Sequence, residues 1–557
     1  MKTGVWVLLF LQDGVKQAPK IIDKPEEAGV GKVYDVPLDG AKALLVAFTS
    51  ADCPLSKLYL PKIGRLASEY SARGVKTILA GCNGTRKVES ELPLSPDSEA
   101  LIRKLGPRRT TEVFLLDESG TLRYRGAIDD QYGIGYDRDR PTRAYLVDAL
   151  NAVLSGEKVN VAATEAPGCA IEAIGQPSPS AGVTYHQHVE PILQKRCQEC
   201  HRPGEIGPFP LLQYEQARAA AKRMKEVVIS RRMPPWHANP EHGKFENSRR
   251  LDDAEIDTIV RWVDSGCPRG DAAQAPAPRK WTDGWTIGKP DAVFTMPRAI
   301  DIPAEGTIPY KYVRVKTDLK EDRWVRAAEI RAGARDVVHH ILVFVEYPRG
   351  RRGEQPPIDG GLFHGYFAVL VPGERPVVYP EGTGKLLPAG ASLIFQLHYT
   401  ANGKAAKDQS SIGFVFSKEP AKTPVVTRGI VNAGIRIPAG AADHQEKAST
   451  TFVEDAKILS FLPHMHLRGK SFRYVAVHPD GREEILLDVP SYDFRWQSVY
   501  RLAEPKRVRR GTKIRCFAAY DNSAGNPANP DPSKAVRWGD QSWEEMLIGY
   551  MDFVAEP

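Results

Sequence analysis

The last part of the chain carries histidines in patterns that can hold a metal. His339 and His340 are adjacent inside the apolar run Val337-Val338-His339-His340-Ile341-Leu342-Val343. Neighbouring side chains on a regular strand point to opposite faces, so this pair can share one ion only if the strand is bulged or ends there. His398 sits in a second apolar run, Phe395-Gln396-Leu397-His398-Tyr399. In Pro463-His464-Met465-His466-Leu467-Arg468-Gly469-Lys470 the His-x-His spacing puts both imidazoles on one face of a strand, a chelating geometry. Trp543-Glu544-Glu545-Met546 then precedes the apolar stretch from Leu547 to Phe553, and Met546 offers a thioether. His364, His444 and His478 read as loop or surface histidines.

A second pattern, Cys197-Gln198-Glu199-Cys200-His201, has the C-x-x-C-H spacing of covalent c-type haem attachment. Two thiols add to the two vinyl groups, and the adjacent histidine then lies under the iron. No second cysteine pair follows that would complete a zinc site instead. Met233, in Arg232-Met233-Pro234-Pro235-Trp236, falls where a helix must give way to extended chain before the prolines. As the sixth ligand it would raise the potential relative to bis-histidine ligation. His237 and His242 compete for that role. The stretch resembles small class-I-like cytochrome c domains.

Taken in order, His-His, Leu-His-Tyr, His-Met-His-Leu-x-Gly-Lys and Glu-Glu-Met resemble the type II copper, ascorbate-dependent monooxygenases, the family of peptidylglycine α-hydroxylating monooxygenase and dopamine β-monooxygenase. The resemblance runs from about Ile287 to the C-terminus. It implies two jelly-roll-like β domains, each holding one copper, facing each other across a solvent cleft. His339, His340 and His398 would hold the electron-transfer copper; His464, His466 and Met546 would hold the oxygen-binding copper and so be catalytic. Three imidazoles suit a copper that cycles between two oxidation states, and a thioether favours Cu(I). Met465 and Met551 are alternatives to Met546, though Met465 points away from its histidine neighbours on a strand. Only Cys516 lies in this region, so the disulfides of the animal enzymes are absent.

The resemblance implies hydroxylation of a C–H bond with O2, on a small-molecule or peptide-like substrate. An external electron donor would supply the electrons, with the haem as internal carrier. Two other readings stay open: a copper-binding or electron-transfer protein without hydroxylase activity, and a thiol–disulfide oxidoreductase centred on Cys53. In Thr49-Ser50-Ala51-Asp52-Cys53-Pro54-Leu55-Ser56-Lys57 a strand leads into a helix, as in the active-site turn of thioredoxin-like redoxins. Ser56 replaces the second cysteine of CxxC, and Thr110-Thr111-Glu112 occupies the place of the cis-proline of such folds. Two readings of this module stand side by side: Cys53 as a redox thiol with Cys82 or Cys169 as distant resolving partner, or a degenerate, structural redoxin.

These groups need elements to position them. At 557 residues the chain is too long for one core. The small, Pro-rich stretch from Gly156 to Gly182 reads as a linker, and Cys267 to Lys280 as a second break. Before the linker, strand-like runs (Ala43 to Phe48, Val75 to Ala80, Glu112 to Leu116) alternate with helical spacing after Pro54, an α/β pattern. Between the breaks the chain is helical: Gln213 to Arg231 reads as one helix, and Ile256, Ile259, Val260 and Val263 mark the face of another, capped by Asp252 or Asp253. After the second break short β-branched runs and Gly/Pro turns predict an all-β region. The expected domains are therefore 1–170 (α/β, thioredoxin-like), 183–268 (all-α, cytochrome c-like), 281–422 and 423–557 (an all-β pair of jelly-roll-like sandwiches).

A net charge of +7, spread among acids, gives no basic stripe for nucleic acid. The apolar run from Val5 to Leu11 behind Lys2 reads equally as the front of a secretory signal or as a first strand. Nothing else approaches a transmembrane span. Haem attachment and copper loading imply an extracytoplasmic location, periplasmic or secreted.

Overall fold

The computed structural model describes residues 18–83, 85–134, 136–171, 182–282, 284–348 and 365–556. The Val5–Leu11 run and His364 lie outside them. The chain is mostly β-sheet, divided among several sheets, with few helices.

The first segment is built on β1 (Ala43–Thr49), buried along its whole length. It pairs parallel with β2 (Val75–Gly81) and antiparallel with β3 (Val113–Asp117), which forms a hairpin with β4 (Leu122–Gly126). Alternate residues of β1 feed two cores. Leu45 and Ala47 pack with Tyr59, Ile63 and Leu66 of α1 (Pro54–Ser71) and with Leu146 and Leu150 of α3 (Tyr145–Leu154). Leu44, Val46 and Phe48 pack with Leu101 and Leu105 of α2 (Ser98–Leu105).

The stretch expected to be a linker is only partly one. Residues up to Ile171 fold back on this sheet: Arg125 N–H donates to Ala162 O at 3.2 Å, and Ile171 N–H to Arg108 O at 3.1 Å. Thr164 is buried, its hydroxyl accepting from Ala127 N–H at 2.8 Å. Gly126 (φ 142°) makes room for it; a Cβ there would lie 2.6 Å from Thr164 O.

The middle segment packs α4 (Glu190–Arg196), α5 (Tyr214–Ala219), α6 (Ala221–Ile229) and α7 (Asp253–Asp264) around Tyr185, Leu193, Ile259 and Trp262. A capping box starts α7: Asp252 accepts from Glu255 N–H at 2.7 Å and Glu255 from Asp252 N–H at 3.1 Å. The single helix expected over Gln213–Arg231 is broken at Ala220 (φ −97°, ψ 0°), whose N–H is shared between Gln216 O and Ala217 O, the bifurcated pattern of a helix end. From Pro234 to Glu246 the chain leaves this segment, returning to its core at Leu251. Trp236, Ala238 and Phe245 pack into the core of the C-terminal β region, and Lys244 and Glu246 hydrogen-bond the Tyr500–Val508 strand.

The β region is two sandwiches sharing one layer. That layer is a nine-stranded sheet, eight of its strands running from Ala292–Thr295 through Ser411–Phe416, Arg323–Arg331 and Thr383–Leu387, then on through Thr423–Val431, Ile548–Ala555 and Ala456–His464 to Tyr500–Val508, and the ninth, Val377–Val378, pairing with Arg323–Arg331. A four-stranded sheet containing Val338–Glu346, Ser392–Tyr399 and Lys311–Lys316 covers its first half. Another, containing His444–Thr451, Lys513–Tyr520 and Gly469–Val477, covers the second. The halves meet at a short parallel pairing, Thr383 with Thr423 and Gly384 with Pro424. Among the described residues no helix is long and apolar enough to cross a membrane.

Candidate metal centre

The adjacent pair His339-His340 is brought to one place by a β-bulge. Against Ser392–Tyr399, Val338 is opposite Tyr399 and His340 opposite His398, which leaves His339 as the extra residue. Both side chains then meet His398. His339 Nδ1 lies 2.9 Å from His340 Nδ1 and 3.2 Å from His398 Nδ1. Imidazoles bound to one ion at about 2.0–2.1 Å in a tetrahedron stand about 3.3 Å apart, so these spacings match a shared ion. His339 Nε2–H donates to Arg495 O at 2.8 Å, which frees Nδ1 as the ligand atom.

His464 ends the Ala456–His464 strand and His466 follows in the turn. Each is held through Nδ1: His464 donates to Gln497 Oε1 at 2.7 Å, and His466 to Glu544 O at 3.2 Å. Nε2 of each is thereby left as the lone-pair nitrogen, and His466 Nε2 is buried without a partner. Orphaned imidazole nitrogens in a buried site are what a metal would satisfy.

The two sets are not separated by a solvent cleft, as the family resemblance implies. His340 and His464 have ring centroids 6.3 Å apart. Tyr310 stacks near His340, His398 and His466, and Phe494 near His339, His398 and His466. The reason is the apolar cluster between the sandwiches, in which Leu342 and Phe344 pack on Leu462, Ile548 and Tyr550. Burial pushes His339 and His464 down to about 4. It also pushes His340, His398 and His466 well below the ordinary imidazole value, the neighbouring imidazoles adding to the effect. All five are neutral, the form that binds metal.

Met546 belongs to the same inter-sandwich cluster, with Leu342, two residues beyond His340, and Leu462, two residues before His464. Spacing by two keeps those residues on the histidine faces. Met465 and Met551 lie instead in the core of the C-terminal sandwich. Glu545, fully buried, accepts from the N–H groups of His466 (2.8 Å), Arg468 (2.6 Å) and Met546 (3.3 Å), tying both ligand segments together. Burial pushes its carboxyl up to about 7 against the pull of Arg468 and those amides. Tyr310, Phe494 and Gln497 belong to no motif legible in the sequence, whereas Glu545 lay within one. His444 pairs with Glu446 and His478 with Glu484, away from this centre.

Cys197, Cys200, His201, Met233 and His237 line one cavity of about 1560 Å³, and His339 and His398 line it too. Among the described residues His242 does not; its N–H closes a turn on Asn239 O. His201 Nδ1–H donates to Phe209 O at 2.9 Å, leaving Nε2 for a ligand role, and burial keeps the ring neutral. Two thiols, a neutral imidazole and a thioether on one cavity larger than a usual ligand pocket fit a covalent haem. The β region closes against it: a Cβ on Gly373 would lie 3.1 Å from Cys200 Sγ.

Cys53 is fully buried at the start of α1. Ser56, in the place of the second cysteine, donates to Thr110 O at 2.9 Å. Of the two distant cysteines, Cys169 is the one in contact with Cys53, by a side-chain hydrogen bond. Cys82 lies in the apolar core under α2, where burial pushes its thiol to about 12.

No family model and no curated protein matches the chain. Among solved structures, a hypothetical protein from Sinorhizobium meliloti is 26% identical over 25% of this chain and 84% of its own, with a TM-score of 0.22. An uncharacterized conserved protein from Geobacillus kaustophilus is 23% identical over 30% of this chain and 93% of its own, with a TM-score of 0.22. A thioredoxin-like protein from Aeropyrum pernix is 17% identical over 22% of this chain and 82% of its own, with a TM-score of 0.15. At such scores none bears on the fold or the site.

Proposed function

We propose that the chain is a copper-dependent monooxygenase that hydroxylates a C–H bond of a small-molecule or peptide-like substrate with O2. The observation that carries the proposal is the convergence of five neutral, buried imidazoles, His339, His340, His398, His464 and His466, from two β-sandwiches. In this reading the sandwiches are jelly-roll-like, the helical segment is cytochrome c-like and the first segment thioredoxin-like. His339, His340 and His398 hold the electron-transfer copper, and His464, His466 and Met546 the copper that meets oxygen. Bound there, copper supplies one-electron redox chemistry and dioxygen binding.

The chain's own groups do the positioning. The Arg495 and Glu544 carbonyls and Gln497 Oε1 fix the tautomers of His339, His466 and His464. Tyr310 and Phe494 exclude water from between the rings. A haem on Cys197, Cys200 and His201, with Met233 as sixth ligand, would share a cavity wall with His339 and His398 and so serve as internal donor. An external donor must refill it. Haem attachment and copper loading place such a protein outside the cytoplasm.

One observation favours a second reading, an electron-transfer protein without hydroxylase activity: His340 and His466 are each only 1% exposed, leaving a substrate little access. Copper and haem stoichiometry followed by oxygen-18 incorporation across a substrate panel separates the two. Met546→Leu should abolish oxygen consumption and keep the three-histidine copper. Copper bound tightly with no oxygen uptake on reduction would leave only the second reading.

A further inference from the structure

The cysteines of the first segment form a site of their own, independent of any copper. Cys53 opens α1, and Cys169 comes from the stretch that folds back on the sheet. Their thiols are hydrogen-bonded to each other, and both line the cavity wall. Thr110 organises the pair: its side chain hydrogen-bonds Cys53, and its hydroxyl accepts from Cys169 N–H at 3.1 Å. Gly168 (φ 125°) lets the chain close on it, since a Cβ there would lie 3.2 Å from Thr110 Oγ1.

The fourth member comes from the helical segment. Arg223 of α6 hydrogen-bonds Cys169 and lies 3.9 Å from Asp52. It is 6% exposed, yet its Nε and Nη1 have no partner. A buried guanidinium with two idle donors beside a thiol pair is costly unless an oxygen-rich reactant uses them.

We propose that Cys53 and Cys169 are a peroxide-reducing couple, with Arg223 positioning a small hydroperoxide. Burial decides the class of reactant. Cys53 is 0% exposed and sits behind the part-buried Cys169 at the cavity wall, so a reactant must be small enough to pass Cys169 to meet the inner sulfur, which excludes a protein disulfide. Cys53 thiolate attacks one peroxide oxygen: an S–O bond forms, the O–O bond breaks, and the leaving oxygen takes a proton and departs as water or an alcohol. The Cys169 sulfur then displaces the hydroxyl of the sulfenic acid; an S–S bond forms, and that hydroxyl leaves as water with the Cys169 proton. Two electrons pass from the thiols to the peroxide. An external dithiol resets the site by attacking the outer sulfur, Cys169, and expelling Cys53. Hydrogen bonds from Cys169, Thr110 and Ser56 outweigh burial to hold the Cys53 thiol down to about 5, which makes it the better leaving group.

The test uses the full chain with its metals and haem, reduced, freed of reductant, given one equivalent of hydrogen peroxide and mapped as peptides without reduction. A Cys53–Cys169 linked peptide is expected. In Cys169→Ser, dimedone should label Cys53 instead, and Arg223→Gln should slow formation of the link about tenfold. Three results would overturn the proposal: a wild-type Cys53 thiol that survives excess peroxide, a link from Cys53 to Cys82, or oxidised glutathione forming the link as fast as peroxide. The wild-type map needs no variant to fold.

Discussion

His340 and His464 stand edge to face, ring centroids 6.3 Å apart and planes at 90°, although they belong to different β-sandwiches. The two histidine sets are therefore neighbours inside one buried centre, and what is done to one should be felt by the other.

His340→Ala should accordingly weaken copper at both sets. Isothermal titration of the stripped protein should show both affinities falling. Independent sets would instead keep one at its wild-type value.

Gln497 hydrogen-bonds His464 Nδ1 and, through its amide N–H, Phe494 O at 3.3 Å. Gln497→Leu should lower copper affinity at the His464 set by about 10–100-fold. Chelator competition against the wild-type protein reads this directly.

Glu545→Ala strips a buried acceptor from three backbone N–H groups and should destabilise the C-terminal sandwich by about 3 kcal/mol. Glu545→Gln keeps an oxygen in place and should cost less. Urea unfolding of the metal-free protein compares the two.

Oxidation of Cys53 by peroxide should have a flat rate from pH 8 to 6 and then fall about tenfold per unit below about 5, as the thiolate is protonated. Because the thiol's pKa is lowered, the charged form persists until pH drops through that value. The titratable and charged groups around it are Cys169, which is hydrogen-bonded to it, Arg223 and Asp52 beyond Cys169, and Cys82 with its neighbour Glu112. Stopped-flow oxidation of the reduced protein gives the profile. A midpoint near 9 would refute it.

Trp236→Ala should destabilise the C-terminal sandwich by about 3 kcal/mol, because Trp236 packs there against Phe245 and Tyr500 and not in the helical segment it follows. Thermal unfolding followed by tyrosine absorbance measures the loss.

Local patterns carried much of this in the sequence, and long-range ones did not. His-x-His at 464 and 466 needs only strand alternation to be read, and Met465 was excluded by the same rule. The bulge at His339 was not legible, since an extra residue in a ladder shows only once its partner strand, ending at Tyr399, is known. Cys169 and Cys82 stayed equivalent as partners for Cys53 because the stretch around Cys169 looks like a linker by composition. Hydrogen bonds to the Arg108–Thr110 backbone, not apolar periodicity, hold it down. The break at Ala220 sits in a run of alanines whose propensity is helical throughout. Tyr310 and Phe494 reach the histidines from loops, where no periodicity marks a residue as central.

The layer shared by the two sandwiches is continuous across a seam of two residue pairs, Thr383 with Thr423 and Gly384 with Pro424. Lys385 bolts that seam, its ammonium donating to Tyr366 O, Phe367 O and Thr427 Oγ1 from one half into the other. Mechanically this is a flexural joint with a pin, and the histidine strands are its lever arms. Twist at the joint would act on the gap between His340 and His464 together with the apolar packing that closes it, which makes Lys385 a place to alter the spacing of the two histidine sets without touching a single one of them.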